Sequence, residues 1–147
     1  MTQLEYARRG VITEKIQIAA HAEGVAPEFL RAGLAAGTIV LCHNIKHLNG
    51  IPLPVGTGLR TKINANIGSS SDDTDIQKEL EKARVAVKYG ADAIMDLSTG
   101  GPVDEIRRAI IAETTACIGS VPLYQAALDA VENQVSADRP EEDRVQR

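Results

Sequence analysis

The 147-residue chain has almost no aromatic side chains: no Trp, one Phe and three Tyr. A surface that stacks nucleic-acid bases is therefore not expected, and the core must come from Ile, Val, Leu and Ala. Cysteine is nearly as scarce. Cys42 and Cys117 stand far apart in sequence, which suits a reducing cytoplasm and excludes a disulfide framework. No apolar run approaches the roughly 20 residues a membrane-spanning helix needs. The start, Met1-Thr2-Gln3-Leu4-Glu5, has neither the basic end nor the apolar core of a secretory signal. Positive charge is not in excess either. The formal net charge is −4, so the clustered Lys and Arg of a nucleic-acid surface are missing.

What remains is an ordinary composition, 44% hydrophobic and 24% charged, long enough for one domain. Its first part, residues 1–58, reads as a small helical and irregular region. Thr13 can cap a helix over 14–23 with Ile16, Ala19 and Ala20 inward and Gly24 as its stop. A second helix opens at Pro27, a favoured first position, and closes at Gly37 with Leu30 and Leu34 inward. Residues 38–42 look β-like. Residues 49–58 hold two prolines and three glycines, which predicts a loop or an irregular extended segment.

From Leu59 the pattern alternates. Strands are predicted over 62–67, 93–97 and 117–121, with helices between and after them. Thr74 and Gln77 have capping-box spacing, ahead of a helical stripe of Ile76, Leu80, Ala83 and Val87. Gly100-Gly101-Pro102 turns into a helix with Val103, Ile106 and Ile110 inward, and a last helix is expected over 123–134. Buried strands separated by amphipathic helices mean right-handed βαβ units and a parallel sheet. Periodicity leaves open half of a doubly wound sheet or part of a (β/α)₈ barrel, which needs about 250 residues in full. Residues 136–147, rich in Asp, Glu and Arg, read as a disordered tail.

Ligands in such folds sit at the carboxyl ends of the strands. Asn64 and Asn66, one residue apart, share a face, either as a ligand clamp or as a brace for the following loop. Ser98-Thr99-Gly100-Gly101 before a helix suits a phosphate or simply a turn. Asp96 in an apolar strand is a catalytic carboxylate or an ion-paired structural one, the second reading being preferred. Cys42, His43 and His47 offer metal-ligand chemistry, but only a helix would put the two imidazoles on one face, and the β-like run before them argues against that. There is no P-loop lysine and no GxGxxG after a strand.

Three strings carry a resemblance. Lys62-Ile63-Asn64-Ala65-Asn66-Ile67-Gly68 is similar to the Asn-Ala-Asn-Ile-Gly signature of the phosphomethylpyrimidine synthase (ThiC) family. Gly90 to Gly100 resembles its Gly-Ala-Asp-x-x-Met-Asp-Leu-Ser-Thr-Gly strand, and Ile118 to Gln125 its Ile-Gly-Thr-Val-Pro-Ile-Tyr-Gln segment with two conservative changes. The opening residues, Pro27-Glu28-Phe29 and Asn44-Ile45-Lys46-His47 fit the same order, so the resemblance runs from residue 1 to about residue 131.

It implies a cytoplasmic radical S-adenosylmethionine lyase of thiamine biosynthesis. Such an enzyme turns aminoimidazole ribotide into hydroxymethylpyrimidine phosphate, using a [4Fe-4S] cluster, S-adenosylmethionine and a zinc-type metal ion. The implied fold is a (β/α)₈ barrel behind an N-terminal region, in a homodimer. This chain would supply about three βα units over 59–135, with Asn66, Met95 and Tyr124 as substrate contacts and with no catalytic or metal-ligating residue of its own. The family's three closely spaced cysteines, its metal-site histidines and its Ser-Arg-Gly loop have no counterpart here. The expectation is thus a truncated member, inactive alone and prone to self-association. The rival readings are a fragment of 5-hydroxybenzimidazole synthase, a paralogue serving cobamides, and a non-catalytic remnant or interaction protein.

Overall fold

The computed structural model describes residues 1–137 and shows an α/β chain with a helical N-terminal region. That region opens with α1, Gln3–Arg8, which sequence reading did not anticipate although its capping box is plain: Thr2 accepts from the Glu5 amide while Glu5 reaches back to the Thr2 amide. Helix α2, Glu14–Glu23, starts at the Thr13 cap and stops at left-handed Gly24, and α3, Pro27–Ala36, stops at left-handed Gly37. All three pack through small and aliphatic residues. Ala7, Ile16, Ala19, Ala20, Leu30 and Leu34 are buried in one cluster with Ile39.

Strand β1, Ile39–Cys42, is followed by a regular strand where a loop or an irregular extended segment was expected: β2, Leu53–Gly56, pairs antiparallel with β1. Pro54 does not prevent this. The Thr57 amide donates to the Thr38 carbonyl at 3.1 Å, and alternation from that bond makes Leu41 and Pro54 a pair without ladder hydrogen bonds. The donor that proline lacks would have pointed away from β1, as edge prolines require.

A second sheet follows. Strands β3 (Asn64–Ile67), β4 (Ala93–Asp96) and β5 (Cys117–Ser120) are parallel and adjacent in that order. They are joined by α4 (Ile76–Lys88) and α5 (Val103–Glu113), and α6 (Pro122–Ala137) leaves β5. Ile67 and Ile94 share a core with Leu80 and Ala83 of α4 and Ile106 and Ile110 of α5. Both crossover helices therefore cover the same face of the sheet. Alternate residues (Asn64, Asn66, Met95, Gly119) point to the other face.

Three details depart from expectation. Helix α4 is capped by Asp75, whose carboxylate accepts from the Gln77 amide, one residue later than the Thr74 box. Val87, placed in the inward stripe, is 39% exposed, and Glu79 is buried instead because it is tied to the loop described below. Helix α6 continues through Ala137, so the first two residues of the expected tail are helical; residues 138–147 lie outside the described part.

The N-terminal region is tied to the second sheet by polar contacts. Buried His47 donates from Nε2 to the Thr114 carbonyl at 2.7 Å, and the Ile51 amide donates to Thr115. Glu23 of α2 pairs with Lys62 at 2.9 Å and with Arg60, whose guanidinium also forks onto Asp92. Asp92 in turn accepts from the Ile63 amide at 2.8 Å. Among the described residues no helix is long and apolar enough to cross a membrane.

Candidate functional site at the strand ends

Parallel register sets the geometry. Asn66 on β3 lies opposite Met95 on β4, which lies opposite Gly119 on β5. All three occupy the face that the crossover helices leave uncovered. Asn66 is exposed and Met95 half-buried. The Asn64 amide group donates to Asn66 Oδ1 at 2.9 Å, which fixes the Asn66 carboxamide and leaves its NH₂ without a protein partner among the described residues. Met95 lies over Gly119, where a Cβ would stand 2.9 Å from Cε and 3.0 Å from the sulfur.

Tyr124 sits in the first turn of α6, four residues after β5, with its amide donating to the Val121 carbonyl and the residue 39% exposed. A donor, a thioether and a phenol are thus presented by the carboxyl ends of three neighbouring strands or by what directly follows them. Asn66 and Met95 are neighbours by register. Tyr124 shares their end of the sheet by topology.

Bracing of the loops at this end falls to other residues, not to the asparagine pair. Glu79, 1% exposed, accepts from the Gly68 amide at 2.9 Å and pairs with Lys82 at 2.5 Å. Gly68 has φ +153, and a side chain there would meet the Leu97–Ser98 peptide at 2.7 Å, so only glycine lets the two loops touch. The Ser69 hydroxyl donates to the Gly100 carbonyl at 2.7 Å, its amide donates to the Ser98 hydroxyl at 3.1 Å, and the Thr99 amide donates to the Ser69 carbonyl. The Ser98–Gly101 segment is therefore a clasp between loops, with its Thr99 amide already used.

Asp96 points to the helix side. Its carboxylate is fully buried, pairs with Arg107 Nε at 2.9 Å, and accepts from the Ser98 amide and hydroxyl at 3.0 and 2.5 Å. This is the ion-paired structural role. Nothing in the sequence pointed to Glu79 or Arg107, since their partners lie 11 residues away across a turn.

Cys42, His43 and His47 divide their tasks. His43 Nδ1 accepts from Lys15 at 3.1 Å, and its pKa is pushed down by burial first, then by the Lys15 and His47 charges. His47 is committed to Thr114. Cys42 and Cys117, remote in sequence, border one narrow crevice, and burial, then the neighbouring Cys42, push the Cys117 thiol up. Among the described residues no three His, Cys, Asp or Glu side chains gather as a metal would need.

The comparisons agree with one another. The family model described as "Radical SAM ThiC family" matches residues 2–147. The phosphomethylpyrimidine synthase of Geobacter metallireducens is 79% identical over 136 residues, 92% of this chain and 31% of that protein. "Phosphomethylpyrimidine synthase 2" of Syntrophotalea carbinolica is 67% identical over 89% of this chain and 30% of its own length. The phosphomethylpyrimidine synthase of Thermococcus kodakarensis is 54% identical over 86% of this chain and 30% of its own length. The chain spans less than a third of each of these relatives. A match this long, carrying Asn66, Met95 and Tyr124 within it, makes the chain a member of the radical SAM ThiC family.

Proposed function

We propose that this chain forms the first part of the substrate pocket of a phosphomethylpyrimidine synthase, the cytoplasmic thiamine-pathway lyase that rearranges aminoimidazole ribotide into hydroxymethylpyrimidine phosphate. In this reading residues 59–135 are the first three βα units of a (β/α)₈ barrel, and residues 1–58 are a separate region at its base. The observation that carries it is the register of Asn66 with Met95 on the sheet face that α4 and α5 leave uncovered, which in a closed barrel faces the interior. The Asn66 NH₂ then donates to a ring nitrogen or sugar oxygen. Met95 gives the flat imidazole an apolar floor, and Tyr124 adds a ring edge and a hydroxyl. The names of the relatives favour this product over a benzimidazole.

In the family the cluster with S-adenosylmethionine supplies a radical, and the residues here do not fit either partner. Cys42 and Cys117 are the only thiols in the sequence, they border a crevice away from Asn66, and thiolates are what hold such clusters. The zinc-type metal finds no ligand set among the described residues. The role of these residues is therefore to bind and orient substrate, and the chain alone gives no turnover. Homodimer formation belongs to the same proposal.

Calorimetric titration with aminoimidazole ribotide tests the pocket. Saturable binding is expected, weakened about tenfold by Asn66→Ala, whose lost hydrogen bond counts for roughly 1.5 kcal/mol. Tyr124→Phe, which removes only the hydroxyl, should weaken binding less. Affinity unchanged in both variants refutes the assignment.

A further inference from the structure

The two thiols of the chain take no part in the pyrimidine chemistry, yet the fold brings them together. Cys42 ends β1 in the N-terminal region, and Cys117 opens β5 in the second sheet. A short path of contacts connects them. Cys42 is paired with Leu53 across the β1–β2 ladder. Two residues before Leu53, the Ile51 amide donates to the Thr115 carbonyl, itself two residues before Cys117. The segment ahead of Ile51 is fixed at two more points, by His47 on the Thr114 carbonyl at 2.7 Å and by Asn49 on the Ala112 carbonyl at 3.4 Å. Both cysteines line one crevice whose free volume is about 20 Å³, room for little more than a single water. Both are free thiols and half-buried, so a small reagent can reach them.

We propose that Cys42 and Cys117 are a reversible covalent staple: a low-molecular-weight disulfide of the glutathione type oxidises the pair to an internal disulfide that ties the N-terminal region to β5. Such a bond needs Cα atoms about 4.4–6.8 Å apart, the scale of residues bordering so narrow a gap. The exchange runs in two steps. The Cys42 thiolate attacks one sulfur of the oxidant, a mixed disulfide forms, and one small thiolate leaves. The Cys117 thiolate then attacks the Cys42 sulfur, the internal bond forms, and the second small thiolate leaves. The protein gives up two electrons and two protons, and the oxidant takes both. Burial first, and then the neighbouring Cys42, hold the Cys117 thiol above its ordinary value, which suits it to the second, intramolecular step. Excess small thiol reverses the sequence, so a reducing solution keeps the staple open. The other ties described between the two regions, among them the Glu23 pairs with Lys62 and Arg60, are non-covalent. The proposal does not depend on the substrate pocket, and failure of one leaves the other standing.

The test exposes the whole reduced chain, at low concentration, to oxidised glutathione. Mass spectrometry should show the wild type losing two hydrogens and retaining no glutathione, and a digest should link the peptides that carry Cys42 and Cys117. Cys42→Ser and Cys117→Ser should each take up one glutathione instead. The closing step should run at least about tenfold faster in the folded chain than in urea, where the long loop between the cysteines dilutes one thiol at the other. Oxidation should raise the melting midpoint of the wild type by roughly 5–10 °C, and neither serine variant should show that gain. A wild type that ends with glutathione on both cysteines overturns the proposal, as do disulfide-linked dimers in place of the internal bond. Closure that is equally fast in urea overturns it too, because the fold would then contribute nothing to the pairing.

Discussion

Arg107→Met takes the partner from the most deeply buried carboxylate among the described ion pairs. The substitution keeps most of the aliphatic stem of Arg107, itself 22% exposed, and removes the guanidinium from an Asp96 carboxylate that has no solvent contact. Breaking one side of a buried pair costs about 3–5 kcal/mol, since the remaining charge keeps its desolvation cost without its partner. Ser98 still donates twice to Asp96, so the lower end, about 3 kcal/mol, applies. With a urea slope of roughly 2 kcal/mol per molar, the unfolding midpoint should fall by about 1.5 M. The double variant Asp96→Asn with Arg107→Met leaves no buried charge and should recover about half of the loss or more. Circular dichroism during urea titration reads both variants. A single variant that loses less than about 1 kcal/mol, or a double variant no more stable than the single, refutes the buried-charge account.

Two further outcomes follow from other contacts. Asp92 is held below its ordinary value of 3.8, first by its hydrogen bonds with Arg60 and then by the Ile63 amide. Stability from this pairing is complete above the unfolded value and is lost as pH falls through the lower folded one. Arg60→Ala should therefore move acid unfolding to higher pH and differ most from wild type above about pH 4, the gap closing in stronger acid; coincident acid titration curves would contradict this. Strands β3 and β5 each have a single neighbour among the described residues, and open edges recruit further strands. Sedimentation velocity should show mass rising with concentration, and a monomer at every concentration refutes that expectation.

Local signals in the sequence were enough for most elements. Gly24 and Gly37 end their helices because left-handed backbone comes cheaply only to glycine, and the apolar strings at β4 and β5 could hardly be anything but strands next to amphipathic helices. Helix α1 was equally legible, since Thr2 and Glu5 have the spacing of a capping box, but a helix of 6 residues has too little periodicity to stand out. Strand β2 was hidden by Pro54, whose harmlessness depends on which side of a ladder it faces, a property of pairing and not of composition. Placing Asn66 and Met95 on one face needed only the two-residue period of a strand. The burial of Glu79 in place of Val87 could not be read, because the Gly68 amide that holds it belongs to a loop, and loop packing leaves no periodic trace.

The contact between Met95 and Gly119 gives the chain a point of adjustment. Position 119 is bare, and what lies nearest to it is the mobile end of a thioether, the softest group in the sheet. Adding one methyl there, as alanine, would force the Met95 thioether into a different position on the face it shares with Asn66, while the ladder bonds stay as they are. If the proposed pocket lies on that face, its fit to molecules of different thickness is set in part by a residue that need not touch them.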